Sequence, residues 1–191
     1  MIIGLTGKYC AGKNHVASLF EAKGLPVLDV DKLGYQALDA EKENIFAKFG
    51  KDLQKTDGSL DKRLLGQRVF GNPANLAALE AIVHPSVNKM TEDWIKSQEK
   101  HCVVNAALLH RSSIFNKLEH IILVTAPYFV RFLRAKRRDN LSFLEIIRRF
   151  NTQKDFYTQY LSINAEIYKV ENSGLHSKLE KRIDKILERI F

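Results

Sequence analysis

The sequence predicts an α/β protein built on a parallel sheet, and three observations carry that prediction. The chain opens on an apolar run, Met1-Ile2-Ile3-Gly4-Leu5, followed by a glycine-bearing loop and then a helical pattern. Two further apolar runs, Cys102-Val103-Val104-Asn105-Ala106-Ala107 and Ile121-Ile122-Leu123-Val124-Thr125-Ala126, are separated from the first and from each other by long connections. No tight hairpin joins any of these runs. Strands that alternate with helices in this way pair in parallel, because a parallel neighbour needs a crossover connection. A length of 191 residues with 45% hydrophobic content supports one domain with a sizeable core and room for an inserted subdomain.

Taken in order, the first run reads as a buried strand. After the loop, Val16, Leu19 and Phe20 share one helical face, and Gly24 is placed to stop that helix. Pro26-Val27-Leu28-Asp29-Val30-Asp31 reads as a short strand, whose alternation puts Asp29 and Asp31 on one face. From about 32 to 100 the pattern is helical, with a turn at Thr56-Asp57-Gly58-Ser59 and a stop at Gly71-Asn72-Pro73. Pro127 closes the run that begins at Ile121, and a helix is expected from Tyr128 to Arg138. Leu141-Ser142 begins another, with Ser142 and Glu145 spaced as a capping box. Ile163 to Val170 holds a weak last strand, and Asn172-Ser173-Gly174 is a turn. Leu175, Leu179, Ile183, Ile186, Leu187 and Ile190 then mark the buried stripe of a closing helix.

The loop between the first strand and helix is Gly7-Lys8-Tyr9-Cys10-Ala11-Gly12-Lys13-Asn14. Strand, loop and helix in this order are the context that a phosphate-binding loop requires. Its glycines let backbone N–H groups turn inward, and the helix N-terminus and Lys13 add positive charge. The last position holds Asn14, where the pattern places the Ser or Thr whose hydroxyl meets Mg²⁺. Ligands of open parallel sheets gather at the carboxyl ends of the strands. Gly7, Asp31 and Asn105 all fall there, which gives one convergent site.

Charge and cysteine content narrow the function further. The formal net charge is +8, and Arg131, Arg134, Lys136, Arg137, Arg138, Arg148 and Arg149 crowd into one stretch. Only Phe132 and Phe143 lie among them, so the row of stacking aromatics expected of a single-strand binder is missing. Clustering near a phosphate loop favours a polyphosphate substrate, while any one of these side chains also suits a solvated helix face. No apolar run reaches the roughly 18 residues of a membrane span. Lys8, Gly12 and Lys13 interrupt the first apolar run, so no signal peptide is expected. A cytoplasmic protein is expected. Cys10 and Cys102 make neither a disulfide framework nor a metal site. Cys10, near a helix N-terminus and Lys13, has either a depressed thiol pKa or a plain space-filling role.

The opening segment Ile3-Gly4-Leu5-Thr6-Gly7, the loop, and Val27-Leu28-Asp29-Val30-Asp31 resemble the start of the dephospho-CoA kinases. The resemblance continues, in the same order, at Asp57-Gly58-Ser59-Leu60-Asp61-Lys62, at Arg68-Val69-Phe70 and at Leu79-Glu80-Ala81-Ile82-Val83-His84-Pro85. It resumes at Arg134, at Arg138-Asp139-Asn140-Leu141-Ser142, from Arg149 to Gln153, and at Glu171-Asn172-Ser173-Gly174. It implies a three-layer α/β/α P-loop kinase fold over 1–191, with a helical CoA-facing insertion at about 32–100 and an Arg-rich lid at about 128–153. It also implies transfer of the ATP γ-phosphoryl group to the 3′-hydroxyl of dephospho-CoA's ribose, with ATP and Mg²⁺ as cofactors. No membrane and no stable nucleic-acid partner are expected, and the chain is expected as a monomer or weak oligomer.

The same resemblance assigns residues. Lys13 is expected against the β- and γ-phosphates, and the backbone from Cys10 through Ala11, Gly12 and Asn14 to His15 is expected to cradle them. Asp31 is expected as general base, with a helix N-cap as its alternative. Asp29 and Asn14 are the candidate metal contacts, and Asp29 too suits a helix cap. Arg138 and Arg149 are expected to reach the phosphates as transition-state stabilisers. Asp31, His84 and Leu108 are the candidate contacts to dephospho-CoA, His84 having a structural alternative before Pro85.

The chain departs from the family pattern in two segments. Asn14 replaces a hydroxyl, and His15 stands where the family usually has Thr. Asn105-Ala106-Ala107-Leu108-Leu109-His110-Arg111 stands where it shows an Asp followed by Pro-Leu-Leu-Phe-Glu, so an acid is lost at Asn105 and a charge is inverted at Arg111. Two other readings stay open at this stage: a kinase of another nucleoside or nucleotide, and a non-catalytic nucleotide or nucleic-acid binder. The second gives no reason for Asp29 and Asp31.

Overall fold

The computed structural model describes residues 1–139, 141–161 and 163–191. Asn140, part of the motif that begins at Arg138, lies outside the described residues. The sheet has five strands, β1 (Ile2–Gly7), β2 (Val27–Asp29), β3 (Cys102–Asn105), β4 (His120–Thr125) and β5 (Glu166–Glu171), in the order β2-β3-β1-β4-β5. The first strand is central and pairs in parallel with both neighbours, Ile3 facing Val103 on one side and His120 on the other. β4 pairs in parallel with β5. The parallel α/β architecture expected from the strand spacing is present.

Ile3 to Gly7 are buried, so both faces of β1 are covered, which is why its sequence reads as a continuous apolar run. On one face, Ile3, Leu5, Val103 and Ile122 meet Val16, Leu19 and Phe20 of α1 (Lys13–Ala22) and Leu179, Ile183, Ile186 and Ile190 of the last helix, at His176–Ile190. Leu175 does not join that stripe. It is 67% exposed, because it stands in extended backbone one residue before the helix. On the opposite face, Leu109, in a short 3-10 turn at Leu109–Arg111, and Leu118, just after a second such turn at Phe115–Lys117, lie against Gly4. A side chain at Gly4 would come within 2.6 Å of Leu109 and 2.9 Å of Leu118, so this strand position needs glycine. Gly24 (φ +80°) stops α1 as expected: its N–H bonds the carbonyl of Glu21, and the N–H of Leu25 bonds that of Phe20.

The chain divides into two compact units, one of residues 1–28 and 98–191, the other Asp29–Ser97. The second is built of α2 (Val30–Ala40), α3 (Lys42–Phe49), α4 (Lys62–Val69) and α5 (Pro73–Lys96). Its core is Ala37, Ile45, Phe46, Leu53, Leu65, Val69 and Val83. Asn72 ends the link from α4 and caps α5, accepting from the N–H groups of Ala74 and Asn75 at 3.1 Å, with Pro73 at the first helical position. α5 runs on through His84 and Pro85 without ending. Both residues are exposed, so the carbonyl that Pro85 leaves unbonded faces water. His84 therefore does not close a helical turn.

The expected strand from Pro26 to Asp31 is corrected. It stops at Asp29, whose Oδ1 accepts from the N–H groups of Asp31 (3.1 Å) and Lys32 (3.3 Å) and so starts α2. Two orphan helical donors thereby win over one more strand residue. In the first unit, α6 (Tyr128–Asp139) and α7 (Phe143–Asn151) follow β4, and the second opens on the expected Ser142–Glu145 capping box.

Candidate active site

The loop from Lys8 to Gly12 turns on two left-handed residues, Cys10 (φ +59°) and Gly12 (φ +90°). The N–H of Ala11 closes the turn on the carbonyl of Lys8 at 2.9 Å. The loop's carbonyls are gripped from outside. Arg134 donates Nη1 to the carbonyl of Ala11 (3.1 Å) and, at 3.5 Å, to that of Cys10, while its Nη2 bonds the carbonyl of Asn172 (2.9 Å). Asn172 Nδ2 also donates to the carbonyl of Ala11, at 3.0 Å. Arg131, 7% exposed, reaches the carbonyl of Tyr9 at 3.4 Å and lies 4.4 Å from the Phe150 ring centre. With the carbonyls held outward, N–H groups point the other way. Among the described residues, those of Cys10, Gly12 and Asn14 bond no backbone carbonyl. Those of Ala11 and His15 are already committed, to Lys8 and Gly12, so the cradle is narrower than six consecutive amides.

Beside this loop Lys13, Asn14 and Asn105 form a triangle. Lys13 Nζ donates to Asn14 Oδ1 at 3.1 Å and to Asn105 Oδ1 at 3.2 Å, and Asn105 Nδ2 donates to Asn14 Oδ1 at 3.2 Å. Asn105 is 1% exposed at the end of β3, beside Leu5 of β1.

A second cluster joins Tyr9 of the loop to Asp139, Arg138 and Arg149. Arg138 grips Asp139 through Nε (2.6 Å) and Nη2 (3.0 Å), and Arg149 Nη1 lies 3.8 Å from the same carboxylate. Tyr9 donates its hydroxyl to Asp139, and both guanidinium groups lie over its ring, at 5.2 and 5.5 Å. The hydrogen bonds from Arg138 push the Asp139 carboxyl down to about 2, and Asp139 in turn raises Arg138. Arg138 and Arg149 thus stand together at the loop, on a carboxylate that the sequence did not single out.

A cavity of about 280 Å³ opens against the loop, lined by Gly12, His15, Arg134, Asn172, Gly174 and His176 among others. At its edge His15 Nε2 and His176 Nδ1 are 3.1 Å apart. Leu108, 49% exposed, precedes the 3-10 turn after β3. Asp29, Asp31 and His84 belong to the helical unit, Asp31 in the first turn of α2. The depressed thiol considered for Cys10 is corrected: burial pushes its pKa up, and this outweighs the lowering by Arg138. The sequence reading missed Tyr9, Asp139 and Asn172 as site residues and Arg131 and Arg134 as loop anchors. The signal for the arginines was their helical spacing with Arg138.

The chain is similar to known proteins over nearly its whole length. The dephospho-CoA kinase family model matches residues 1–174. A dephospho-CoA kinase from Treponema pallidum is 32% identical over 199 aligned positions, covering 98% of this chain and 94% of the relative. The crystal structure of TT1252 from Thermus thermophilus superposes with a TM-score of 0.83 at 31% identity, covering 100% of this chain and 98% of that one. Dephospho-CoA kinase from Campylobacter jejuni shares the fold, with a TM-score of 0.66 at 23% identity over 99% and 96% of the two chains.

Proposed function

The chain belongs to the dephospho-CoA kinase family, and we propose that it transfers the γ-phosphoryl group of ATP to the ribose 3′-hydroxyl of dephospho-CoA, giving CoA and ADP. The observation that carries this reading is the loop whose carbonyls are held outward by Arg131, Arg134 and Asn172 beside Lys13. Phosphoryl transfer asks a protein mainly to position two groups and to neutralise charge. Lys13 and the amides of Cys10, Gly12 and Asn14 take the β- and γ-phosphates. The 280 Å³ cavity, with Arg134 and the two histidines on its wall, receives the nucleoside end. Arg138 and Arg149 stabilise the transferring group once they exchange Asp139 for phosphate. Asp31 accepts the proton of the acceptor hydroxyl as its oxygen bonds to phosphorus and ADP leaves. Leu108 and His84 are proposed on the acceptor side.

Mg²⁺ enters as part of the substrate. Position 14 offers it no hydroxyl and position 105 no carboxylate, and Asn14 Oδ1 already accepts from both Lys13 and Asn105. Among the described residues no three His, Cys, Asp or Glu side chains gather to hold a metal. The loop residues therefore do not fit a direct grip on the ion. Asp29 commits Oδ1 to capping α2, which leaves Oδ2 to meet the ion through water. No helix among the described residues is long and apolar enough to cross a membrane. We place the enzyme in the cytoplasm, where its two buried free cysteines stay reduced, as a monomer or weak oligomer.

The test is ADP release with ATP and Mg²⁺ against dephospho-CoA, adenosine, other nucleosides and no acceptor. Release that depends on dephospho-CoA is expected, and Asp31→Asn should lower kcat by on the order of 10²-fold or more. Faster turnover with a nucleoside would reassign the acceptor, and near-wild-type turnover of the variant would remove Asp31 from the role.

A further inference from the structure

Tyr9 stands at a loop position that the phosphate-binding pattern leaves open to any residue. Cradling a phosphate uses backbone N–H groups, so the ring and hydroxyl of Tyr9 answer to another need. Its backbone is held on both sides. The N–H donates to Gln153 Oε1 at 2.7 Å, and the carbonyl accepts from Arg131 at 3.4 Å. Its ring meets Phe150 edge to face, with centroids 5.9 Å apart.

The rest of the side chain meets the charge cluster. The hydroxyl donates to Asp139 and accepts from Arg149 Nη1 at 3.5 Å, while the guanidinium groups of Arg138 and Arg149 lie over the ring. The acidities of the two groups settle the direction of the first bond. The hydrogen bonds from Arg138 hold Asp139 down at about 2, so it is an acceptor only, and burial pushes the Tyr9 hydroxyl up, so it keeps its proton.

Arg138 and Asp139 are chain neighbours, so the bonds between them fix neither one relative to the loop. Arg131 and Arg134 tie the earlier turns of α6 to loop carbonyls, and Tyr9 ties its last turn. A long side chain on a helix surface otherwise samples many rotamers. Through Asp139, Tyr9 confines two guanidinium groups to the edge of the loop before a nucleotide arrives. Once phosphate takes the arginines, a loose carboxylate beside it would repel it. The Tyr9 hydroxyl keeps that carboxylate bonded and to one side.

We propose that Tyr9 is a positioning residue that acts through Asp139, setting Arg138 and Arg149 at the phosphate loop before nucleotide binds and holding the carboxylate aside during transfer. This rests on the reading of the two arginines as stabilisers of the transferring group. Tyr9 acts on groups that meet the transition state, so its loss lowers kcat and leaves KM for ATP in place.

Steady-state kinetics of the full chain, with ATP, Mg²⁺ and the acceptor that supports turnover, test it. Tyr9→Phe keeps the ring, its packing on Phe150 and the backbone bonds, and removes the hydroxyl alone. It should lower kcat about tenfold, with KM for ATP within about threefold of wild type. Asp139→Ala should lower kcat by a similar factor. The double variant should fall little further than either single one, since both break the same link. Arg138→Ala and Arg149→Ala should each lower kcat by more than Tyr9→Phe does. Three results overturn the proposal and leave the arginine reading standing: a Tyr9→Phe kcat within about twofold of wild type, a rise of about tenfold in its KM for ATP, or a double variant about 10²-fold down, the product of two independent effects. Arginine variants with wild-type kcat overturn that reading and this proposal together.

Discussion

Arg134 gives the sharpest test of how the loop is built. Its guanidinium bonds the carbonyls of Ala11 and Asn172 at 3.1 and 2.9 Å, with a longer contact to that of Cys10. Hydrogen bonds from a charged donor are each worth about 1.5–3 kcal/mol net. Ala11 keeps a second donor, Asn172 Nδ2, so removing Arg134 costs less there than at Asn172. The half-buried stem adds some lost packing. Arg134→Ala should therefore destabilise the chain by about 3 kcal/mol, toward one full charged hydrogen bond and part of a second. For a chain of this size that is a fall in Tm of roughly 6–12 °C. Arg134→Lys can reach one carbonyl and should recover about half of the loss. Urea unfolding measures the stability, and ATP titration of the folded variants measures the site. Because Arg134 both orients the loop and lines the cavity, the alanine variant should bind ATP about tenfold more weakly or worse, a cost of about 1.4 kcal/mol. A variant within about 0.5 kcal/mol of wild type, the range of an uninvolved surface change, would refute the anchoring. Lost stability with unchanged ATP affinity would refute its coupling to the site.

Asp139→Asn removes the carboxylate that gathers Arg138 and Arg149. Both arginines are more than half exposed, so the net loss at pH 7 should be only about 1 kcal/mol after solvent screening. The Asp139 pKa is depressed, to about 2, so its contribution is full above the unfolded value near 4 and fades as pH falls toward 2. The stability gap between wild type and variant in urea should narrow over that window, and a gap constant with pH would argue against the ion pair. Gly12→Ala forces a side chain into left-handed backbone (φ +90°) and against the Asn172 amide. It should cost about 1–2 kcal/mol in backbone strain and weaken ATP binding by tenfold or more, with helix content by circular dichroism unchanged.

Local patterns carried most of the fold into the sequence. β1 is legible because it is buried on both faces, α8 (His176–Ile190) because its buried residues recur at helical spacing, and the Ser142 cap because its partner is three residues away. The end of β2 was not legible, since Asp29 fits a strand residue and a helix cap equally well until its oxygen is seen on Asp31 and Lys32. The site was legible as a loop and illegible as a network. Asn105 meets Asn14 across 91 positions, and Tyr9 meets Asp139 across 130, separations at which no periodicity or motif survives. Asn14 and Asn105 each look like a lost function when read singly. In contact, they are one acceptor arrangement for Lys13.

The basic stretch that gives the chain much of its charge also resolves by geometry. Arg131, Arg134 and Arg138 recur at i, i+3 and i+7 and so share one face of α6. The first two spend their charge on the loop's carbonyls, and the third stands over the loop's Tyr9. Lys136 and Arg137, off that stripe, are exposed. A run that reads as one electrostatic patch is therefore two devices on one helix face, an anchor for the phosphate loop and a charge held ready beside it. Because both sit on α6, displacing Arg138 along with its helix pulls on the same carbonyls that aim the loop's amides. Only a local exchange of Asp139 for phosphate lets Arg138 engage the nucleotide while the cradle stays in place.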